Sequence, residues 1–509
     1  MANTNGDEQK FPYLWFTSVN RRVNPFTMKD DELLDLVNWY SDKIGSKTVR
    51  PGLTPFLDQI DGNAVKHLYY AKFPNGNKRL LRFSGSKIYA VDPTTANTWG
   101  SSIFTNSGNF TNPESVILAA KIHTVDQDGS GVGKYFEYNS STVTETTYTS
   151  SSDVVIPHKG STITVLHRRI YVGKPYYSPN TYRSRLSWSS IDYVNKGTTP
   201  ATAWTTDAND VSSSNFRDID IDYKGNILKL TNINDSINIY KENGIYRYNE
   251  SLVYLLFGAS PFAGSIATME EVNEDFFFTN EGFYRTTGRT VAYNSTISVK
   301  PVAEGWLPII KQILHNGIDT TKVTSFAANY QYFCYMGDVT YDGNTVRNAC
   351  FVYDARLDEM WLWSFAYDIS CFGSYTNTSG DKVILLGDVN GNVYKLDYYA
   401  NDDAGQPIQA YFIHKYLYFD NPVLFKNQTE LYMFSTPGVE LELLFDKDYK
   451  NQYESVGTIS GYASSKRLGY DKIGQFQALS AKILWNGKGV RPTFNGYISN
   501  IKFGSERIT

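Results

Sequence analysis

A loop beginning at Asp126 has the side-chain spacing of a calcium site. Asp126, Asp128 and Ser130 stand at loop positions 1, 3 and 5, Gly131 stands at position 6, and Glu137 stands at position 12. This spacing matches the EF-hand loop, in which oxygen ligands alternate before a glycine turn and a glutamate closes the site. The pattern makes Asp126, Asp128, Ser130 and Glu137 a candidate Ca²⁺ site, and calcium is the cofactor to consider.

The residues around this loop favour strands over the two helices of an EF-hand. The ranges 117–124 and 135–138 are rich in β-branched and aromatic residues, which prefer strands. Gly133 also occupies loop position 8, where an EF-hand has an apolar side chain. We therefore expect a hairpin tip and no metal here. The same expectation applies to the shorter acidic turn at 388–392.

Three alternating aspartates suggest a second kind of chemistry. Asp218, Asp220 and Asp222 would share one face of a strand, and pairs of carboxylates carry out glycoside hydrolysis. The apolar residues between them favour an ordinary strand with one polar and one buried face. The sequence has no zinc-protease HExxH motif, no nucleophile elbow and no phosphate-binding loop. We therefore expect no enzyme and no catalytic residue.

Short strands separated by glycine-containing turns are the elements that would position these residues. A turn followed by a short strand ending in Tyr recurs at 84–89, 241–246, 279–284 and 389–394. Units of roughly 40 to 50 residues, each a small antiparallel meander, are typical of propeller blades. We predict an all-β fold, a β-propeller of about six to eight antiparallel meander blades. A pair of long β-sandwiches is the competing architecture.

The chain divides into three predicted regions. Residues 1–52 form an N-terminal arm and helix, residues 53–405 form the propeller, and residues 406–509 form a C-terminal β region. That last region either closes the blades or makes a separate sandwich. The short N-terminal helix is predicted within 30–44, which opens with acidic residues and continues with closely spaced leucines.

One further helix is predicted to interrupt the strands near 303–314. Trp306, Ile309, Ile310 and Ile313 recur there at helical spacing. Pro308 suits the first turn of a helix, where its missing N–H costs nothing. We expect this helix to cap the sheets or to lie at an interface.

Composition excludes several classes of protein. The net charge is −4 and no basic stripe is present, so the chain lacks the clustered cations that grip nucleic acid. Three cysteines do not make a disulfide scaffold, and Cys334 and Cys350 are expected to be buried thiols on neighbouring strands. We expect no secretory signal and no membrane insertion, because no apolar run reaches the length of a membrane span.

Four segments, in the same order, resemble the tail hub or nozzle proteins of short-tailed bacteriophages, including the packaged-DNA stabilisation type. Each segment is short, and their order carries the resemblance. The C-terminal ranges 467–469 and 496–504 fit the same family. The segments are 38–53 with Asn-Trp-Tyr and Arg-Pro-Gly, 185–248 with Arg-Leu-Ser-Trp, 276–306 with the three phenylalanines and the tryptophan helix, and 349–363 with Val-Tyr-Asp and Trp-Leu-Trp.

This resemblance implies a structural role in the virion. Proteins of that family are β-propellers that assemble into a ring, usually a hexamer, below the portal and adaptor. The ring retains packaged DNA and then conducts it during ejection. The expected partners are further copies of the chain, the portal, adaptor and other tail proteins, and double-stranded DNA that passes without sequence-specific binding. The expected location is the tail, after assembly in the host cytoplasm.

Two other functions remain open from the sequence. A carbohydrate-binding propeller or adhesin would contact the host surface, and exposed tryptophans at Trp99 and Trp204 would support it. A propeller glycoside hydrolase would use the carboxylates at 218–222, and it would need an Arg or His converging on the same pocket. The sequence provides no such pairing.

Overall fold

The structure of the chain is a computed structural model. The structure describes residues 8–24, 27–58, 61–118, 120–127, 133–145, 159–177, 180–189, 216–220, 225–233, 235–250, 252–287, 298–460, 464–467, 473–487 and 489–504.

Strands dominate the fold from its N-terminal end. Five strands precede the first propeller blade: β1 (Glu8–Tyr13), β2 (Leu33–Val37), β3 (Trp39–Tyr40), β4 (Lys47–Val49) and β5 (Gly52–Pro55).

The first three blades are antiparallel meanders, and the third also carries a small hairpin. Blade 1 contains β6 (Val65–Lys72), β7 (Lys78–Ser84), β8 (Lys87–Val91) and β9 (Phe104–Thr105). Blade 2 contains β10 (Glu114–Leu118), β11 (Lys121–Gln127), β12 (Gly133–Tyr138) and β13 (Val143–Glu145). Blade 3 contains β14 (Thr162–Leu166), β15 (Arg169–Gly173), the hairpin β16 (Tyr176–Tyr177) and β17 (Asn180–Thr181), β18 (Arg185–Trp188) and β19 (Phe216–Asp218).

Blades 4 to 6 repeat the meander. Blade 4 contains β20 (Ile227–Ile233), β21 (Ser236–Lys241), β22 (Gly244–Tyr248) and β23 (Val253–Phe257). Blade 5 contains β24 (Ala267–Met269), β25 (Glu274–Thr279), β26 (Gly282–Thr287) and β27 (Ser298–Pro301), and helix α1 (Leu307–Asn316) follows it. Blade 6 contains β28 (Thr324–Ala328), β29 (Gln331–Tyr341), β30 (Asn344–Asp354) and β31 (Glu359–Ser364).

Blade 7 is completed by a strand from the other end of the propeller sequence. Its first three strands are β32 (Ile369–Thr376), β33 (Lys382–Asp388) and β34 (Val393–Asp397), and β5 pairs antiparallel with β34 as the fourth. The short strands β35 (Asp402–Asp403) and β36 (Gln406–Pro407) extend this sheet. Because β5 precedes blade 1 in sequence, this pairing fastens the first blade to the last.

The seven sheets close into a ring. The innermost strands of successive blades contact one another, from β6 through β10, β14, β20, β24 and β28 to β32, and β32 contacts β6 again. Separate apolar clusters fill the spaces between neighbouring blades, for example Phe83, Phe110 and Phe136 between blades 1 and 2. The prediction of an all-β propeller with about six to eight blades is confirmed.

The C-terminal strands form a two-sheet sandwich with strands from the N-terminal region. One sheet has the order β2-β37-β42-β39-β40, and β2 joins it to blade 6 through a parallel pairing with β31. The other sheet has the order β3-β4-β43-β38-β41, and β1 also pairs with β43. The strands after blade 7 are β37 (Ala410–His414), β38 (Lys426–Ser435), β39 (Glu440–Lys447), β40 (Glu454–Ser460), β41 (Ser464–Arg467), β42 (Leu479–Trp485) and β43 (Thr493–Phe503).

The predicted N-terminal helix within 30–44 is wrong. That segment forms β2 and β3, and β2 lies between β31 and β37 in the middle of a sheet. Leu33, Leu36 and Val37 are all buried there, because packing on both faces removes the alternation that marks a half-exposed strand. Asn38 then adopts a left-handed backbone (φ 61°), which ends any continuous helix.

The inserted helix is confirmed near its predicted position. A short 3₁₀ segment, Glu304–Trp306, leads into α1, and Pro308 lies in the first turn. The sequence also predicts strands at 276–278 and 283–285 on either side of the turn near 280, and both are present in β25 and β26. A third strand that the sequence predicts, 290–293, lies outside the described residues. The cysteines Cys334 and Cys350 are buried free thiols on β29 and β30, as expected.

Candidate functional site

The two described acidic residues of the calcium candidate have structural partners. Asp126 lies near the end of β11, is buried, and accepts hydrogen bonds from the backbone N–H of Thr111 (3.2 Å) and Asn112 (2.8 Å). Glu137 lies on β12, where Lys121 donates to it at 2.8 Å. Strands flank the loop on both sides, as its composition predicts. The other two candidate ligands, Asp128 and Ser130, lie outside the described residues.

The second acidic turn uses its carboxylate internally. Asp388 is buried and accepts hydrogen bonds from Asn390 N (2.9 Å), Asn392 N (2.7 Å), Asn392 Nδ2 (2.9 Å) and Tyr394 OH (3.3 Å). A carboxylate that accepts four hydrogen bonds from its own hairpin stabilises the turn. Within the described ranges, no three His, Cys, Asp or Glu side chains gather into a metal-binding group.

The two alternating aspartates that the structure describes, Asp218 and Asp220, have structural partners. Asp218 ends β19 and accepts two hydrogen bonds from Arg185, at 2.7 and 2.9 Å. Asp220 lies beyond the strand with a left-handed backbone (φ 49°) and accepts a hydrogen bond from Tyr246 OH. Asp222 falls outside the described residues. The two described carboxylates therefore hold blade strands and the turn that follows them.

The ring of blades encloses a central cavity of about 800 Å³. Across it, Lys229 on β20 reaches Glu114 on β10, with the ammonium 2.6 Å from the carboxylate. Thr162 on β14 donates to the same carboxylate at 2.7 Å, so three neighbouring blades are tied together. Beside this bridge, burial and then the charge of Lys229 lower the pKa of His67 to about 3, which keeps that imidazole neutral.

The central cavity is too small for a DNA duplex. The major groove alone of B-DNA is about 12 Å wide, and the cavity holds about 800 Å³ among the side chains of seven strands. A duplex would therefore have to pass outside the propeller axis of a single chain.

The resemblance segments converge where the propeller meets the sandwich. Arg50 is buried there and forms a two-pronged pair with Asp403, at 2.8 and 2.6 Å. The same guanidinium donates to Asn38 Oδ1 at 2.9 Å and to the carbonyl oxygen of Ser364 at 2.5 Å. Its planar group also lies 4.8 Å from the centre of the Phe365 ring. We call Asn38, Arg50, Ser364 and Asp403 the junction network.

Aromatic packing surrounds the junction network. Tyr40 meets Trp361 and Trp363 edge-on, with ring centres 5.6 and 6.0 Å apart. These residues come from the first and fourth resemblance segments. The indole N–H of Trp306, in the third segment, donates to the carbonyl of Met360 at 2.9 Å. In the sequence, the Arg-Pro-Gly motif indicates this region. Asp403 lies in a segment whose composition indicates only a turn, so the sequence does not mark it as the partner of Arg50.

A cleft lies beside the junction, between the tip of the β29–β30 hairpin and the sandwich. Its volume is about 550 Å³. Asp35 lines it and is buried, with its oxygens accepting from Tyr341 OH, Tyr411 OH and Leu36 N at 3.0, 3.0 and 2.8 Å. Burial raises the pKa of this carboxyl against the opposing effect of Arg21. Sequence reasoning missed the cleft because its residues come from six separate segments of the chain.

Several exposed apolar residues also lie near the junction. Tyr399 is 95% exposed and Val490 is 55% exposed. Tyr398 links the patch together, because its hydroxyl lies 3.5 Å from Gln331 and its carbonyl accepts from Arg491 at 2.6 Å. We call Tyr330, Tyr398, Tyr399 and Val490 the tyrosine patch. Exposed apolar patches mark interaction surfaces, and these four residues lie on segments that the two contacts of Tyr398 bring together.

Of the two tryptophans that would support carbohydrate binding, the structure describes only Trp99. Trp99 is buried beside Arg82, whose guanidinium lies 5.5 Å from its ring. Trp204 lies outside the described residues. Separately, no helix in the described part of the chain is long and apolar enough to cross a membrane.

Comparisons with known proteins add little to the description of the fold. No protein-family profile matches the chain, and no curated protein sequence matches it.

Similar solved structures include BBS1N in complex with ARL6DN, with 11% identity, a TM-score of 0.40, and coverage of 69% of this chain and 99% of that one. The extracellular domain of BT4673 from B. thetaiotaomicron has 9% identity and a TM-score of 0.43, over 91% of this chain and 64% of that one. Chaetomium thermophilum Raptor has 11% identity and a TM-score of 0.41, over 68% of this chain and 29% of that one. Likenesses this distant carry no functional argument, so the propeller assignment rests on the strand order and the closed ring of inner strands.

Proposed function

We propose that this chain is a structural subunit of a bacteriophage tail, a hub or nozzle ring protein below the portal and adaptor. The observation that carries the proposal is the junction network. Three of the four segments that resemble the tail family meet there, at Arg50, Asp403 and the packed tryptophans. The resembling residues thus hold a propeller and a sandwich in a fixed arrangement, which is what a rigid ring subunit needs.

In this proposal the DNA channel lies between protomers. The cavity of one propeller holds about 800 Å³, which excludes a duplex, so the conduit is the opening at the centre of the ring. A net charge of −4 suits a wall along which DNA slides, because few cations are available to release counterions and hold the backbone. The chain contributes retention and passage of DNA without sequence-specific binding.

The proposed ring closes through repeated contacts between copies. A heterologous interface, in which two different surfaces of neighbouring protomers meet, generates a ring when its rotation closes. We assign the tyrosine patch to one side of that interface, because Tyr is enriched at the centres of protein interfaces. A hexamer is the stoichiometry that the family resemblance implies.

The proposal is tested in the phage that encodes the chain. We expect cryo-electron microscopy of virions to reveal a ring of seven-bladed propellers below the portal. Particles assembled without the chain should package DNA and then lose it, which a nuclease-protection assay measures. Virions that lack density for this fold, or that keep their DNA equally well without the chain, would contradict the proposal.

A further inference from the structure

The cleft between the β29–β30 hairpin and the sandwich has the features of a ligand site. Its volume of about 550 Å³ falls within the range of small-molecule pockets, and such pockets often form where two domains meet. Aromatic and polar side chains line it together, including Tyr411, Tyr453 and Asn451. None of these residues belongs to the junction network, so the cleft is free to serve another purpose.

The cleft contains two cations, Arg21 and Lys482, and two carboxylates, Asp35 and Asp342. Arg21 forms an ion pair with Asp342, and the oxygens of Asp35 accept hydrogen bonds from two tyrosine hydroxyls and a backbone N–H. Lys482, on β42, lies within ion-pair distance of no carboxylate in the described part of the chain. Partial burial lowers the pKa of this lysine, whereas Asp35 opposes that effect.

Aromatic rings hold the Lys482 ammonium in place. Its Nζ lies 4.1 Å from the centre of the Tyr411 ring and 6.0 Å from the centre of the Tyr453 ring. Such cation–π contacts orient a lysine while leaving its hydrogen-bond donors available. Tyr411 is itself fixed by its bond to Asp35. The ammonium is therefore a positioned donor for an incoming anion.

The other groups in the cleft suit a sugar ring. Tyrosine rings offer flat apolar faces, and the exposed side chains of Asn344 and Asn451 at the rim offer amides that can donate and accept hydrogen bonds. We propose that the cleft binds a saccharide that carries a carboxylate, with Lys482 recognising the carboxylate and Tyr411, Tyr453 and the rim amides recognising the ring. This inference does not depend on the proposed tail function.

The test compares two ligands that differ only in the carboxylate. Binding of methyl β-D-glucuronoside and methyl β-D-glucoside to the full chain is measured by calorimetry, with acetate as a third ligand. We expect saturable binding of the glucuronoside and at least tenfold weaker binding of the glucoside and of acetate. No saturable binding of the glucuronoside would overturn the proposal. Equal binding of both glycosides, or of acetate, would overturn the assignment to an acidic sugar.

Variants of the cleft residues test whether the saccharide binds in this cleft. Lys482→Met should weaken glucuronoside binding at least tenfold, whereas Lys502→Met, at an exposed lysine on the other sheet of the sandwich, should leave it unchanged. Asn451 is exposed and has a left-handed backbone (φ 54°), so Asn451→Ala should lose a little stability, still fold, and weaken binding several-fold. An unchanged affinity for the glucuronoside in the Asn451→Ala or the Lys482→Met protein would overturn the assignment of the binding site to this cleft. If Lys482→Met does not fold, the Asn451→Ala result decides whether the saccharide binds there.

Discussion

At the residue scale, Arg50 has more partners than any other side chain at the junction. It is buried, and it bonds to Asp403, Asn38 and the carbonyl of Ser364 at the point where propeller and sandwich meet. Burial of a charge is costly unless the charge is paired and its donors are satisfied. Both conditions hold for Arg50, so its pair with Asp403 stabilises the contact between the propeller and the sandwich as long as both residues are present.

Removal of one partner of this pair should destabilise the chain strongly. Arg50→Met leaves the Asp403 carboxylate buried without its partner, and breaking a buried pair costs about 3–5 kcal/mol. The control is Arg22→Met, which removes the half-exposed pair with Glu304 and should cost less than about 1 kcal/mol. Urea unfolding measures both. Similar losses in the two variants would contradict the role given to Arg50.

His414 should make stability depend on pH. It is buried, its Nδ1 lies 2.6 Å from Tyr497 OH and its Nε2 lies 2.6 Å from the carbonyl of Asp30. Burial lowers its pKa from 6.5 to about 4. The unfolded chain therefore binds more protons than the native chain below pH 6.5, so stability falls as the pH drops toward 4.

The expected loss from His414 between pH 7 and pH 5 is about 2 kcal/mol. His414→Gln retains an acceptor and a donor but cannot titrate, so its free energy of unfolding should fall less steeply over this range. Urea unfolding at pH 7, 6 and 5 measures the two slopes. Parallel slopes for the wild-type chain and the variant would show that His414 does not titrate as its burial indicates.

At the element scale, β5 is the strand that closes the propeller. It pairs with β34 in blade 7 although it precedes blade 1 in sequence. Gly52 begins the strand at a crowded position, where an added Cβ would lie 2.1 Å from the carbonyl oxygen of Asp402. The closure therefore depends on a close approach of two backbones that only glycine permits.

Substitution of Gly52 should loosen this closure. Gly52→Ala forces the two backbones apart, and overpacking of this kind costs about 1–3 kcal/mol. Gly108→Ala is the control, because an added Cβ there meets no atom within 4 Å. A lower melting temperature and faster proteolysis are expected for Gly52→Ala alone. Equal melting temperatures for the two variants would mean that β5 does not hold the ring closed.

The β11–β12 hairpin should be indifferent to calcium. Asp126 accepts from the backbone N–H groups of Thr111 and Asn112, and Lys121 neutralises Glu137, so two of the four candidate ligands have other partners. We expect the melting temperature to be the same with calcium and with a chelator. A clear rise on addition of calcium would contradict this expectation and restore the loop as a metal site.

The sequence predicted local elements better than long-range pairings. The strand-turn-strand pattern around 276–285 and the tryptophan helix were predictable, because both follow from local periodicity and turn residues. The helix predicted within 30–44 failed because pairing of β2 with β31 and β37 outweighs local preference. Closure by β5 and the cleft around Lys482 join residues hundreds of positions apart, and no local pattern encodes such contacts.

At the scale of the whole molecule, the chain is a propeller and a sandwich joined by strands from the N-terminal region. A continuous sheet runs from blade 6 through β2 into the sandwich and joins the two parts. The proposed ring stacks such units around a channel, with the tyrosine patch at the contact between neighbours. Tyr399, with 95% of its surface exposed, is the most accessible residue of that patch.

The most direct test is the mass of the purified full-length chain in solution, measured by mass photometry and checked by negative-stain imaging. We predict closed rings, with six copies of the 57.6 kDa protomer as the expected stoichiometry. Tyr399→Ser with Val490→Ser should shift the population toward monomers without lowering the melting temperature. A wild-type chain that stays monomeric at every concentration and does not associate with virions would contradict the ring account.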